Sequence, residues 1–264
     1  MNTSILLSPD LLHFTSVLIV AVGALMIAAQ ACMLALAARR TALAPFTQFA
    51  APLLGAALLA VWFGWAVLAV REPIVVPEPP PIAQGVTQRV VQRPELLLEM
   101  AAMVTLGLVV IFGSKTVRTL NAATPPAWLI GVQTYRVIGV MFLWPFLAAG
   151  ALPAGFALPA GIGDVLTGLA APFVARAVAR NHPSARAWAV RWNWFGILDL
   201  VVAVAAAVLT QTTNISRFPL VIVPLFLGPP LGILTHLYSL RNLAATQHPA
   251  RTVAMPGRAN PAHA

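Results

Sequence analysis

The chain has one cysteine, Cys32, one lysine, Lys115, and only 9% charged residues. A lone cysteine excludes an intramolecular disulfide, and inside an apolar run it reads as a small hydrophobic residue. The lysine lies between apolar runs, so no retinal Schiff base can form within them. There is no Gly-x-Ser-x-Gly elbow, no His-Glu-x-x-His pair and no phosphate-binding loop, which removes the usual hydrolase, zinc-protease and nucleotidase signatures. Met1-Asn2-Thr3-Ser4 lacks the basic start of a cleavable signal peptide, so the first apolar run is expected to stay as a helix. His13 and His236 fall near opposite faces and no other histidine pairs with either. No metal site, haem or other cofactor is therefore expected.

What is abundant is apolar sequence. The hydrophobic fraction is 59%, and near-continuous apolar runs recur along the whole length without the polar faces of soluble helices. These runs predict an all-α, polytopic membrane helix bundle with seven spans. They are placed at Val17–Ala38, Phe49–Val70, Leu96–Gly113, Trp128–Ala149, Leu158–Ala175, Arg191–Thr210 and Pro219–Leu240. Residues 1–243 form one bundle, and 244–264 is a basic tail without periodicity, expected to be disordered.

The cations fix an orientation. Arg39, Arg40, Lys115, Arg118, Arg176, Arg180, Arg186, Arg191, Arg241, Arg251 and Arg258 fall on one side of the spans, and only Arg71, Arg89, Arg93 and Arg217 on the other. The first side carries no carboxylate, whereas Asp10, Glu72, Glu78 and Glu95 lie opposite. By the positive-inside rule the N-terminus is outside and the C-terminus cytoplasmic. The net charge of +9 is explained in this way rather than by nucleic acid, which is not expected as a partner. Trp188, Trp192 and Trp194 are expected at the interface where the sixth span begins, and Trp62 and Trp65 to be packing residues.

Two connections stand out. Residues 71–95 contain Pro73, Pro77, Pro79, Pro80 and Pro81 and read as a polyproline-like outer loop. Leu152-Pro-Ala-Gly followed by Leu158-Pro-Ala-Gly is too rich in Pro and Gly for regular helix, and reads either as a re-entrant turn or as a tight outer loop.

The chemistry is expected where charge falls inside the apolar runs: Glu99, Arg136, Asp164 and Asp199. Each such charge costs about 2.5–3.5 kcal/mol on insertion scales. Counted from the cytoplasmic ends at about 1.5 Å per residue, Arg136, Asp164 and Asp199 reach the midplane within roughly 6 Å of one another in depth. Burying them apart would be far costlier than together. Gln133, Arg136 and Gly139 share a face by helical spacing, as do Asp164, Thr167 and Gly168, and Asn193, Gly196 and Asp199. One arginine balances one carboxylate, so a second aspartate is left over. That suits proton coupling, or else a structural network with one neutral aspartate. Pro229-Pro230, between Gly228 and Gly232, interrupts the seventh span near the same depth, as a kink or as a source of free carbonyls. Glu99 either snorkels outward or forms a vestibule with His13. His236 is expected to serve the end of its own helix or to bond Ser239 one turn on.

Gly161-Ile162-Gly163-Asp164 is similar to the Gly-x-Gly-Asp of intramembrane aspartyl proteases. Here the second aspartate comes afterwards, no Tyr-Asp exists, and Pro224-Leu225 is a poor stand-in for Pro-Ala-Leu. The stretch from Gln133-Thr-Tyr-Arg-Val-Ile-Gly to Ile-Gly-Asp164, with Gly196-Ile-Leu-Asp-Leu, resembles an uncharacterised family of bacterial multi-pass membrane proteins over about residues 130–240. That resemblance implies a bacterial inner-membrane location and no activity.

The reading is a small proton- or ion-coupled transporter without catalytic residues. Arg136 would bind an anionic group or hold a carboxylate, Asp164 and Asp199 would carry the proton, and Gln133, Asn193, Glu99 and His236 are further candidates. The alternatives are a membrane assembly or lipid-binding protein with structural ion pairs, and the aspartyl protease. Expected partners are the lipid bilayer and a small molecule or ion, with a homo-oligomer left open.

Overall fold

The computed structural model describes residues 8–68, Ile74 and residues 94–245. The Pro-rich connector, apart from Ile74, Pro94 and Glu95, and the tail beyond Ala245 lie outside them. The described chain is helical, and seven of its helices are long and apolar enough to cross a membrane.

The first two spans are α1 (Pro9–Ala38) and α2 (Pro45–Leu68), which pack on each other as a hairpin. Ser8 starts α1 by accepting the Leu11 N–H, so the first helix begins eight residues earlier than its apolar run suggested. The third span is α3 (Pro94–Gly113). It leads through the Ser114 cap into the short α4 (Lys115–Ala123), which lies between the third and fourth apolar runs. The fourth span starts as α5 (Pro126–Gly131), tightens to a 3-10 helix over Val132–Gly139, and widens to a π-turn over Phe142–Leu147 that kinks at Trp144.

The fifth span is α6 (Ala154–Ala179) and the sixth is α7 (Ala185–Leu209). The repeated Leu-Pro-Ala-Gly is therefore neither a re-entrant turn nor an outer loop. Pro153 in the first copy caps α6, with its carbonyl taking the N–H groups of Phe156 and Ala157. The second copy lies inside the helix, where Pro159 forfeits one backbone bond in the second turn. After a 3-10 turn at Asn214–Ser216, the seventh span runs as a π-turn (Val223–Leu227), a non-helical Gly228 and α8 (Pro229–Ala245).

Burial separates these spans into two classes. In the most apolar 18-residue stretch of each span, half or more is buried for the fourth, fifth and seventh and a third for the sixth, against 22% for α1, 11% for α2 and none for α3. The inner bundle is formed by α5 with its 3-10 extension, α6, α7 and α8, which pack on one another in turn. The outward faces carry Phe49, Leu53, Val61, Val109, Leu198 and Leu209, all well exposed. Such apolar exposure suits helices whose backbone groups are satisfied internally and whose surroundings are lipid.

Trp62 packs edge-on against Phe226 at 5.2 Å between ring centres, as expected of a packing residue. The interfacial reading fails for Trp192, which is 6% exposed and donates its Nε1–H to the Thr167 carbonyl at 3.1 Å. Its neighbours Trp188 and Trp194 are exposed. Trp194, two residues on, falls on the opposite face of α7, while Trp188, one turn before Trp192 on the same face, lies at the helix start and stacks on His182. Several cations meet at one end of the bundle: Arg40 lies over Trp128, Arg241 over Phe112, and Arg186 reaches the Leu243 carbonyl.

Candidate functional site

The 3-10 stretch explains why the fourth span presents Gln133, Arg136 and Gly139 together. With three residues per turn, positions three apart stack on a single line, and all three are buried. Opposite them α6 buries Asp164, Thr167 and Gly168, and α7 buries Asn193, Gly196 and Asp199. The three faces expected from the sequence therefore meet.

Glycine makes the approach possible. A side chain on Gly139 would run into Asp164, one on Gly163 into Asp199, and one on Gly196 into the His236 ring. On Gly168 it would collide with the backbone beside Arg136. Asp164, Asp199 and His236 thus each rest on a glycine of a neighbouring helix, the close-approach packing of membrane bundles.

Arg136 is the hub, 2% exposed. Its Nε donates to Asp164 Oδ1 at 2.7 Å, and its Nη2 donates to Asp199 Oδ2 and lies 2.5 Å from the same Asp164 oxygen in an ion pair. Its Nη1 donates to the Gly196 carbonyl and meets His236 Nε2, each at 3.3 Å. All three guanidinium nitrogens are engaged by protein acceptors, through four hydrogen bonds. Arg136 therefore holds carboxylates.

The same bookkeeping assigns the histidine. Arginine only donates, so His236 Nε2 accepts and the ring proton sits on Nδ1, which donates to Asn193 Oδ1 at 3.0 Å. Asn193 then uses its amide N–H groups on the Ala189 carbonyl at 2.8 Å and on Ser239 Oγ at 3.2 Å. His236 is fully buried with its ring 4.9 Å from that of Trp192. The expectation that it serves its helix end or bonds Ser239 is corrected: α8 turns it inward to Arg136, and Asn193 takes Ser239. The sequence signal for this was Gly196 on the facing helix, the small residue that leaves room for the ring.

The break in the seventh span lies at Gly228, and Pro229 and Pro230 begin α8 where missing N–H groups cost least. The fourth span braces the break on both sides. Tyr135 Oη donates to the Leu227 carbonyl, and Gln133 Nε2 donates to the Gly232 carbonyl at 3.2 Å. Tyr135 escaped sequence reasoning. Its position next to Arg136 was the available hint, since adjacent residues of a tight helix face adjacent neighbours.

A cavity of about 70 Å³ opens beside the cluster. Leu96 and Met100 of α3, Phe156 of α6, Ala203 of α7 and Pro229 of α8 line it, and Asp164 is its one charged wall residue. The Asp164 side chain is 13% exposed, against 6% for Asp199 and 2% for Arg136, so the cluster meets the cavity through Asp164. Glu99 is half-buried on α3 and His13 exposed on α1, and neither belongs to the cluster. Among the described residues no group of three His, Cys, Asp or Glu is placed to hold a metal ion.

A family model described as a domain of unknown function (DUF8737) matches residues 94–244. The chain belongs to that family. The matched region contains every residue of the cluster and of the cavity wall, and leaves out the α1–α2 hairpin. No curated protein and no solved structure matches the chain.

Proposed function

We propose that the protein is a small proton- or ion-coupled transporter of the bacterial inner membrane, with its N-terminus outside and its C-terminus in the cytoplasm. The orientation rests on the one-sided distribution of Arg and Lys. The observation that supports transport is the position of Asp164. This carboxylate shares Arg136 with a second one, Asp199, and also forms the charged end of a cavity reaching into the bundle. Two carboxylates against one guanidinium leave one negative charge in excess, which in an apolar interior calls for a proton or another cation. Asp164 and Asp199 carry that proton, Arg136 keeps them together, and His236 and Asn193 hold Arg136 in place. Gln133 and Tyr135 brace the broken span, whose movement at Gly228 would open and close access. Glu99 has no part in this scheme.

The test is proton movement into liposomes that contain the purified protein and a pH-sensitive dye, scanned against a pool of small metabolites. Substrate-dependent acidification that disappears in Asp164→Asn and Asp199→Asn is the expected result. A flat response from well-folded protein overturns the transport reading.

A second reading has its own support. All three guanidinium nitrogens of Arg136 are engaged by the protein itself, as in a structural pin of a membrane assembly or lipid-binding protein. Loss of folding in Asp199→Asn favours it. The aspartyl-protease reading is disfavoured, because the guanidinium donates to both aspartates where a shared water would have to sit.

A further inference from the structure

The cavity wall is apolar except for one carboxylate, and that carboxylate is incompletely used. The hydrogen bond from Arg136 Nε and the ion pair with its Nη2 both fall on Oδ1 of Asp164. Oδ2 accepts no hydrogen bond among the described residues, although Asp164 is 9% exposed overall. Gly139, beside Oδ2, has no side chain to shield it. A carboxylate in an apolar cavity wall with one oxygen free of donors favours a ligand that brings one. The cluster also has one more carboxylate than cation, so a ligand carrying a single positive charge makes it neutral, and an anion or a second carboxylate would make it worse.

The remaining walls set the rest of the ligand. Leu96, Leu97 and Met100 of α3, Phe156 of α6 and Ala203 and Ala207 of α7 offer no hydrogen-bond partner from their side chains. At about 70 Å³, the space is less than half of the roughly 150 Å³ that accommodates a benzene ring, so it takes an ammonium head and part of an alkyl chain and is too small for a ring, a sugar or a nucleotide. We propose that this cavity binds a small lipophilic ammonium ion, with its N–H groups on Oδ2 of Asp164 and its apolar part between α3 and α7.

The proposal rests on the reading of Asp164 as an exchangeable carboxylate and names the substrate class for it. Binding is an exchange: the protonated carboxyl releases its proton to solvent as the ammonium takes its place, so charge is conserved in the site. The ammonium and the proton exclude each other there, which is the coupling that an exchanger requires.

The experiment is isothermal titration of the full chain in lipid nanodiscs with hexylammonium, hexanol and hexanoate, with empty nanodiscs subtracted. Saturable binding of hexylammonium is expected, with at least tenfold weaker binding of the two others. Repeating the titration in buffers of different ionisation enthalpy should show proton release. Asp164→Asn should abolish the binding. Ala203→Phe, which fills the cavity one turn along α7 from Asp199 without removing a charge, should do the same and guards against a folding defect in Asp164→Asn. Equal binding of hexanol, no binding by folded protein, or unchanged affinity in Ala203→Phe overturns the proposal. If other substrates drive proton movement while hexylammonium does not bind, the transport reading survives and this inference falls. If hexylammonium binds but moves no protons across the membrane, the site stands and the transport reading falls.

Discussion

The carboxylate of Asp199 occupies the place where any side chain on Gly163 would begin. The α6–α7 crossing is therefore set by contact between a charged group and bare backbone. Gly163→Ala forces the helices apart or turns Asp199 away from Arg136, and overpacking of this kind costs about 1–3 kcal/mol. Gly64 on α2 has open space around its missing side chain, so Gly64→Ala should be neutral or stabilise by up to about 1 kcal/mol. Thermal unfolding of both variants in the same detergent checks the contrast. Equal midpoints would mean that Asp199 does not sit on Gly163.

Much of this arrangement was written in the sequence. Charges at matching depth, each with a small residue one turn away, identified the faces that meet: Arg136 with Gly139, Asp164 with Gly168, and Asp199 with Gly196. Seven apolar runs located the spans, because hydropathy reports burial in lipid directly. The sequence could not report where a helix changes pitch. Gln133, Arg136 and Gly139 read as an ordinary helical face, and the 3-10 winding that aligns them depends on packing against α6. His236 and Trp192 were misplaced for a related reason. Both lie within a few residues of a span end and fit interfacial patterns, whereas the rotation of α7 and α8 about their axes turns them inward. Proline content misled at 152–161, where tertiary packing overrides local propensity.

Arg136 compensates two buried carboxylates at once, so its removal differs from removal of the whole set. Arg136→Gln leaves both aspartates without a counterion and should destabilise by about 3–5 kcal/mol. Combining Arg136→Met with Asp164→Asn and Asp199→Asn removes every charge and should recover most of that loss. Denaturant titration in bicelles measures the difference. A triple variant no more stable than Arg136→Gln would show that the charges are not what destabilises the single mutant.

His236 is the acceptor for one arginine N–H, and Ser239 only receives an Asn193 N–H at the far end of the chain. Either truncation leaves a buried donor unpaired, which costs about 1–3 kcal/mol for the neutral amide of Asn193 and more for the charged guanidinium. His236→Ala should therefore lower the unfolding midpoint more than Ser239→Ala. The reverse order would argue against the Nδ1-protonated form assigned to the ring.

Arg40 over Trp128 and Arg241 over Phe112 put cations from the first and last spans at one end of the bundle. If that end faces the cytoplasm, a fluorescent protein fused to the C-terminus will light up and alkaline phosphatase fused there will stay inactive. Active phosphatase would invert the proposed orientation.

Tyr135 tests whether the break at Gly228 is a hinge. Its hydroxyl donates to the Leu227 carbonyl, a group that would bond within the helix if the seventh span were continuous. Tyr135→Phe keeps the ring in place and removes only the bond, a loss of about 0.5–1.5 kcal/mol in overall stability. Its larger effect should be local. In a Cys32→Ala background, a cysteine introduced as Leu227→Cys starts from a position 1% exposed and should be alkylated slowly. Adding Tyr135→Phe should raise the rate several-fold, while the same change should leave labelling of a cysteine at Leu209, already exposed at 82%, unaltered. Faster labelling at 227 alone locates the opening motion at the break. An equal rate with and without the hydroxyl would mean that the span is held there by packing, and the movement required for transport would have to be sought in another helix.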